Sequence, residues 1–205
     1  YKGENLAEIT LNVAGKHNLI NSIAAIAASR YVGGKIPSIQ KGLYEFRGAG
    51  RRFEQIGVSK GITIVDDYAH HPAEVEVTLN AAMEMGYNKV YAVFQPFTFS
   101  RTAMLLDDFA KSLSIADICV LTDIMGSREK NTYNIYSEDL AKKIENCICF
   151  EQEKGVEQTN DRKQFNFEQV CDYICENAED GDLVITLGCG DIYKVAKMIY
   201  NKLSQ

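Results

Sequence analysis

No apolar run in this 205-residue chain approaches the ~20 residues that a membrane-spanning helix needs. No signal peptide opens it, which points to a cytoplasmic setting. The six cysteines, Cys119, Cys147, Cys149, Cys171, Cys175 and Cys189, contain no Cys-x-x-Cys pair. A structural zinc site is therefore not expected, and the thiols read as small hydrophobes of a reduced protein. A basic excess is also missing: 22 Lys and Arg stand against 28 Asp and Glu, a net charge of -6. A nucleic-acid binder normally shows a basic face, so no nucleic-acid partner is expected, and no membrane partner either. An anionic small ligand stays possible, because a few local donors outweigh net charge. There is no internal repeat and no low-complexity tract.

What is present is ordinary globular composition, 46% apolar and 24% charged, with length for one to two domains. The first residue is Tyr1, which suggests a piece of something larger. Residues 18–32 read as an Ala-rich buried helix closed by Gly33-Gly34. Pro37 opens a short helix running to about Tyr44. Phe46 to Arg52 holds two glycines and three arginines and reads as a hinge. After it the pattern changes.

Residues 53–59 and 62–67 alternate as strands, joined at Lys60-Gly61 as a hairpin. Pro72 opens a helix closing at Gly86. A strand follows at 89–94, an amphipathic helix at 102–113 and a strand at 117–122. Ser137 is the expected N-cap of a helix through Ile144. A short strand covers 147–150, a polar loop 151–165, and Asn166 caps a helix to about Ala178. A strand at 183–187 and a helix at 192–203 end the chain. This alternation predicts an α/β fold, Rossmann-like, with a mainly parallel sheet, helices on both faces and a short helical segment in front. In such sheets ligands bind at the carboxyl ends of the strands.

Three strand ends carry polar text. Asp66-Asp67-Tyr68-Ala69-His70-His71-Pro72 admits a metal, a ligand site, or mere capping of the helix opened by Pro72. The His-x-His and His-x3-His spacings that favour zinc are absent. As a ligand site, Asp67 would accept from a ribose or an amine, and a histidine would meet a carboxylate. In Gln95-Pro96-Phe97-Thr98-Phe99-Ser100-Arg101-Thr102, Arg101 falls where a helix begins. A cation there opposes the helix dipole unless an anion is near, so an anionic ligand or a solvated arginine both fit. Gly188-Cys189-Gly190-Asp191 lets backbone N–H groups approach a ligand. The third glycine of the dinucleotide fingerprint is missing, and a tight turn without ligand fits as well. Nearer the start, His17 and Asn21 share a helix face and together could stack on and bond a purine; N-capping by Asn18 is the alternative. Arg51-Arg52 could reach a phosphate through a planar guanidinium fork, or be solvated charges.

In this order the pieces are far more specific than any one alone. Gly-x-His-Asn-x-x-Asn at 15–21, Arg-Arg-Phe-Glu at 51–54 and Asp-Asp-Tyr-Ala-His-His-Pro at 66–72 come first. Phe-Gln-Pro-x-x-x-Ser-Arg-Thr at 94–102, Asp-Ile-x-x-x-Arg-Glu-Lys at 123–130 and Gly-x-Gly-Asp-Ile at 188–192 follow. The set resembles the Mur ligases, ATP-dependent enzymes of peptidoglycan synthesis, from about residue 8 to the end and most weakly over 146–180.

The resemblance implies residues 1–47 as the end of a central ATPase domain and 48–205 as a Rossmann-like third domain. It implies ATP and Mg2+, with the metal ligands and the phosphate loop outside this sequence, so that the fragment alone is inactive. The rest of its own chain would complete the site. The implied chemistry is phosphorylation of the carboxylate of UDP-N-acetylmuramate to an acyl phosphate, then attack by the amine of L-alanine. By motif, His17 and Asn21 would contact adenine, Arg52 the γ-phosphate and Asp67 the ribose. Tyr68, His70 and Arg101 would line the site for amino acid and product, with Gly188 and Gly190 in the wall. Arg52, His70 and Arg101 are thus the expected catalytic residues. Phe97 departs from a frequent histidine. The Ser100-Arg101-Thr102 segment favours an alanine-adding member over one that recycles murein peptides. A free-standing nucleotide-binding module, an NAD-linked oxidoreductase, a metal hydrolase on Asp66, Asp67, His70 and His71, and a non-catalytic interaction domain are the competing readings.

Overall fold

The computed structural model describes residues 5–13, 16–150 and 166–205. The expected polar loop at 151–165 lies outside them. The chain divides into two compact units, Tyr1–Gly50 and Arg51–Gln205. The division falls three residues after the expected boundary, within the glycine-arginine hinge.

The first unit holds two helices, α1 (Lys16–Tyr31) and α2 (Ile36–Glu45). Gly33, at φ 89°, stops α1 as expected. Its N–H donates to the Arg30 carbonyl and that of Gly34 to the Ser29 carbonyl, the paired bonds of a Schellman cap. Two expectations are corrected here. Asn18 lies inside α1 and does not cap it, because the helix begins at Lys16. Nor is α1 buried: of its described side chains only Ser22 is, while Leu19, Ile20 and Ile23 are more than half exposed. Alanine favours the helix, but burial needs a partner, and the described residues supply none for those three.

The described residues of the second unit form one six-stranded sheet in the order β1-β2-β6-β3-β4-β5. The strands are β1 (Glu54–Ser59), β2 (Ile62–Asp67), β3 (Val90–Phe94), β4 (Ile118–Thr122), β5 (Cys147–Phe150) and β6 (Leu183–Leu187). Among these described strands only the edge strand β1 is antiparallel. It turns into β2 through Lys60 and Gly61, at φ 50° and 75°, the two positive angles of the tight hairpin that matches strand twist.

Among the described residues six helices cover the sheet: α3 (Pro72–Met83), α4 (Phe99–Met104), α5 (Leu106–Leu113), α6 (Ser137–Ala141), α7 (Phe167–Asn177) and α8 (Tyr193–Leu203). Side-chain alternation splits each central strand between two cores. Val65, Ala92, Phe94, Leu121, Leu183 and Ile185 pack under α3, α5 and α6. Ile64, Tyr91, Val93, Val120 and Val184 pack under α7 and α8. Burial on both faces explains why these strands read as continuous apolar runs. Among the described residues no helix is long and apolar enough to cross a membrane.

Two further expectations change. The single helix at 102–113 is two: it starts earlier, at Phe99, and breaks at Leu105, whose φ of -116° and ψ of 24° are not helical. Arg101 consequently lies inside a short helix, and the dipole argument for an anion there lapses. Ser137 is not an N-cap. Tyr136 holds that place, and the buried Ser137 hydroxyl donates to the Thr122 carbonyl at 2.6 Å, tying α6 to the end of β4.

Candidate active site

The carboxyl ends of β2, β3 and β6 lie side by side, because β6 pairs with both others. They bring together Tyr68, His70, Arg101, Gly188 and Gly190, all expected there. The segment after β2 is held by its own backbone. The Tyr68 N–H donates to the Arg51 carbonyl at 2.8 Å. His70 donates from Nδ1 to the Tyr68 carbonyl at 2.9 Å. Glu74 Oε2 lies 3.3 Å from the same nitrogen; a carbonyl only accepts, so Nδ1 carries a proton, and in the neutral form of the ring Nε2 keeps its lone pair. The two rings meet edge to face, 5.5 Å between centroids.

His71 proves to be a cap. Its Nδ1 accepts from the Ala73 N–H at 3.4 Å, while Glu74 accepts from the N–H groups of His70 and His71. Burial raises the Glu74 carboxyl, but those donors and the His70 ring outweigh it, and the group titrates below its ordinary value. Among the described residues no group of three His, Cys, Asp or Glu side chains could hold a metal ion.

Asp67 is only 6% exposed, and its two carboxylate oxygens accept from the Phe53 and Ala69 N–H groups at 2.7 and 2.8 Å. Burial nevertheless raises its pKa. Its first duty is to the backbone, and a ribose would find only its remaining lone pairs. Arg52, by contrast, is exposed. Asn21 is exposed on α1, and the side chain of His17 lies outside the described residues.

Arg101 reaches back from α4 to the His70 carbonyl at 3.5 Å. It borders an open cleft of about 480 Å³ with His71, Thr98, Ser100, Met104, Leu105 and Glu129. Glu129 accepts from the Ser100 hydroxyl at 2.6 Å, the Ser100 N–H at 2.9 Å and the Thr98 hydroxyl at 2.8 Å. The Ser100 donors hold its carboxyl below its ordinary value. The cleft thus carries a guanidinium and a carboxylate on an apolar floor, a charge pattern that suits a zwitterion.

The glycines after β6 are needed for close approach. A Cβ on Gly190 would lie 2.5 Å from both Gln95 Oε1 and the Met125 sulfur, and Gly188 has a φ of +145°. Gln95 is fully buried, and its side-chain amide finds no hydrogen-bond partner among the described residues.

Three residues escaped sequence reasoning. Gln95 stood in a highlighted segment, but its burial is a tertiary fact. Glu129 stood in a matched motif with nothing to show what it meets. Arg51 was weighed only together with Arg52. It turns inward and donates to Asp66 and to the carbonyls of Gly188 and Gly190. A strand-end acid beside a double arginine was the only signal.

The family model described as "Mur ligase, glutamate ligase domain" matches residues 51–190, well over half of the chain. A UDP-N-acetylmuramate–L-alanine ligase of Clostridium botulinum (strain Kyoto / Type A2) is 44% identical over 198 residues, which are 97% of this chain and 41% of that protein. One of the same name from Lachnospira eligens is 44% identical over 95% of this chain and 40% of its own length. The chain therefore spans about two fifths of the length of the curated relatives it matches. The solved UDP-N-acetylmuramate-alanine ligase of Thermotoga maritima superposes with a TM-score of 0.69 at 24% identity, covering 98% of this chain and 40% of that one. A pseudomurein peptide ligase type C from Methanothermus fervidus does so with 0.71 at 22%, covering 98% and 39%. These two likenesses speak to the fold. With a strand-end cleft in the second unit and a family model that spans that cleft, this chain belongs to the Mur ligase family.

Proposed function

We propose that this chain is part of an ATP-dependent ligase that joins L-alanine to the carboxylate of UDP-N-acetylmuramate. Residues 1–50 would close its ATPase domain and 51–205 would form the domain that receives the amino acid. The observation that carries the reading is the identity of 44% over 198 residues, nearly the whole chain.

ATP would supply the phosphoryl group that activates the carboxylate as an acyl phosphate. The residues here would do the positioning and charge stabilisation such chemistry depends on. Arg52, an exposed cation, would meet the terminal phosphate with a planar fork. Arg101 would take the carboxylate of alanine, which the acid-bearing segment at 66–67 cannot do. His70, with its proton held on Nδ1, would present Nε2 to accept a proton from the incoming amine. Tyr68 would cover the product side. Asp67 would support the nucleotide mainly by shaping the backbone around Phe53 and Ala69. The described residues offer no three-ligand metal group, so Mg2+ would be held elsewhere in the full chain.

The test is ATP-dependent phosphate release by the full chain, with UDP-N-acetylmuramate and each of alanine, serine and glycine. Alanine-dependent release is expected, and Arg52→Ala should lower turnover strongly. Release with none of the three by a folded enzyme would remove the reading and bring forward a murein-peptide recycling ligase. Near-normal turnover in Arg52→Ala would remove that residue's role alone.

A further inference from the structure

We propose that Arg51 is a positioning residue for this site: its guanidinium sets the Gly188–Asp191 loop and the Tyr68 ring in the geometry the cleft uses. The reaction it serves rests on the function proposed above; the clamp itself rests on geometry. Arg51 and Arg52 are neighbours with opposite fates. Arg51 has a left-handed backbone, φ 58°, which turns its side chain toward the strand ends while Arg52 stays exposed.

Each edge of the guanidinium has an acceptor. Nε donates to Asp66 Oδ2 at 2.7 Å, Nη2 to the Gly188 carbonyl at 2.6 Å and Nη1 to the Gly190 carbonyl at 3.1 Å. The flat faces lie against Tyr68 and Tyr193, 5.0 and 4.8 Å from their ring centroids. Asp66 is held in turn by the Thr186 hydroxyl at 2.6 Å. One side chain thus ties the end of β2 to the loop after β6 and supports the ring of Tyr68.

The loop acquires a direction from this. In a planar trans peptide the N–H points opposite to the C=O. Drawing the carbonyls of residues 188 and 190 onto the guanidinium therefore turns the N–H groups of Cys189 and Asp191 the other way. Two dipoles are aligned in advance, with their positive ends away from the clamp, as electrostatic preorganisation requires. A lysine could not do this: it is a point charge without the fork and without flat faces to stack.

The test uses the full-length enzyme and its Arg51→Gly and Arg51→Lys variants. Glycine suits the left-handed backbone and leaves an open slot between the two tyrosine rings. Expected are a fall in kcat of about 100-fold, the size of a small misplacement of reacting groups, with the KM for ATP little changed. Hydrogen exchange over residues 187–192, read by mass spectrometry, should accelerate in both variants. Millimolar guanidinium, but not the same concentration of sodium, should restore both turnover and slow exchange to Arg51→Gly, and Arg51→Lys should stay impaired. A purely structural role would lower the unfolding temperature yet leave turnover per folded molecule at the wild-type value, and that result overturns the proposal. So does unchanged exchange over 187–192 in both variants. Inactive wild-type enzyme would count against the proposed reaction, while the exchange arm would still judge the clamp.

Discussion

Helices α1 and α8 make an instructive pair. Each is apolar enough to be a core helix. In α8, Val195, Ala196, Ile199 and Leu203 are buried against the sheet, on one helical stripe. In α1 the apolar residues spread around the cylinder, and Leu19, Ile20 and Ile23 stay more than half exposed. Both helices form, because helix propensity is local. Only one stabilises the fold by burial, because burial belongs to a pair of surfaces. The strand-end cleft belongs with α8: its geometry is held by the sheet on which that helix packs.

The contrast can be broken or sharpened by substitution. The largest effect is expected at Ile185, fully buried in β6. Ile185→Ala should lower the stability of the second unit by about 4 kcal/mol in urea unfolding, through lost burial and a residual cavity. Next is Asp66, 1% exposed and bonded to Arg51 and Thr186. Asp66→Ala should cost about 3 kcal/mol, since it strands a partly buried guanidinium; a loss no larger than at a surface site would show the ion pair to be dispensable.

A third effect is local and depends on pH. The folded state holds the Glu129 carboxyl below its ordinary value. Its contribution is therefore full above the ordinary carboxylate range and is lost as pH falls through the folded value. Protection of the Ser100 amide, its exchange rate relative to an unstructured amide at the same pH, should be high at neutral pH and fall on acidification, and Glu129→Gln should erase that pH step. The smallest effect is expected at Ile23. In this chain Ile23→Ser should change stability by less than about 0.5 kcal/mol, as exposed positions do. In the full chain the same change should cost more if the ATPase domain covers α1, and equal costs in the two would show that it does not.

Much was legible beforehand where local rules suffice. The Lys60-Gly61 hairpin, the Gly33 helix stop and the strand at 183–187 follow from turn chemistry, left-handed caps and apolar runs bounded by breakers. The order of motifs led to the family for the same reason: spacing along a chain is written in the chain. The break at Leu105 was not legible. The 102–113 segment keeps a helical period across it, while the Thr102 hydroxyl, bonded to the Thr98 carbonyl at 2.7 Å, helps seat a separate short helix. Ser137 resembled a cap because its residue type is common to caps, but the end of β4 claimed its hydroxyl.

The adjacent arginines mark where sequence reading stops. By itself the sequence determined that two cations stand at the hinge, that acids, histidines and glycines end the strands, and that a mostly parallel sheet gathers those ends. Only the tertiary structure decided that Arg51 turns inward to Asp66, Gly188 and Gly190 while Arg52 faces solvent. The physical reason is that a side chain's partners 15 to 139 residues away are set by strand order and by one left-handed backbone angle, and neither is encoded in the identity of the residue alone.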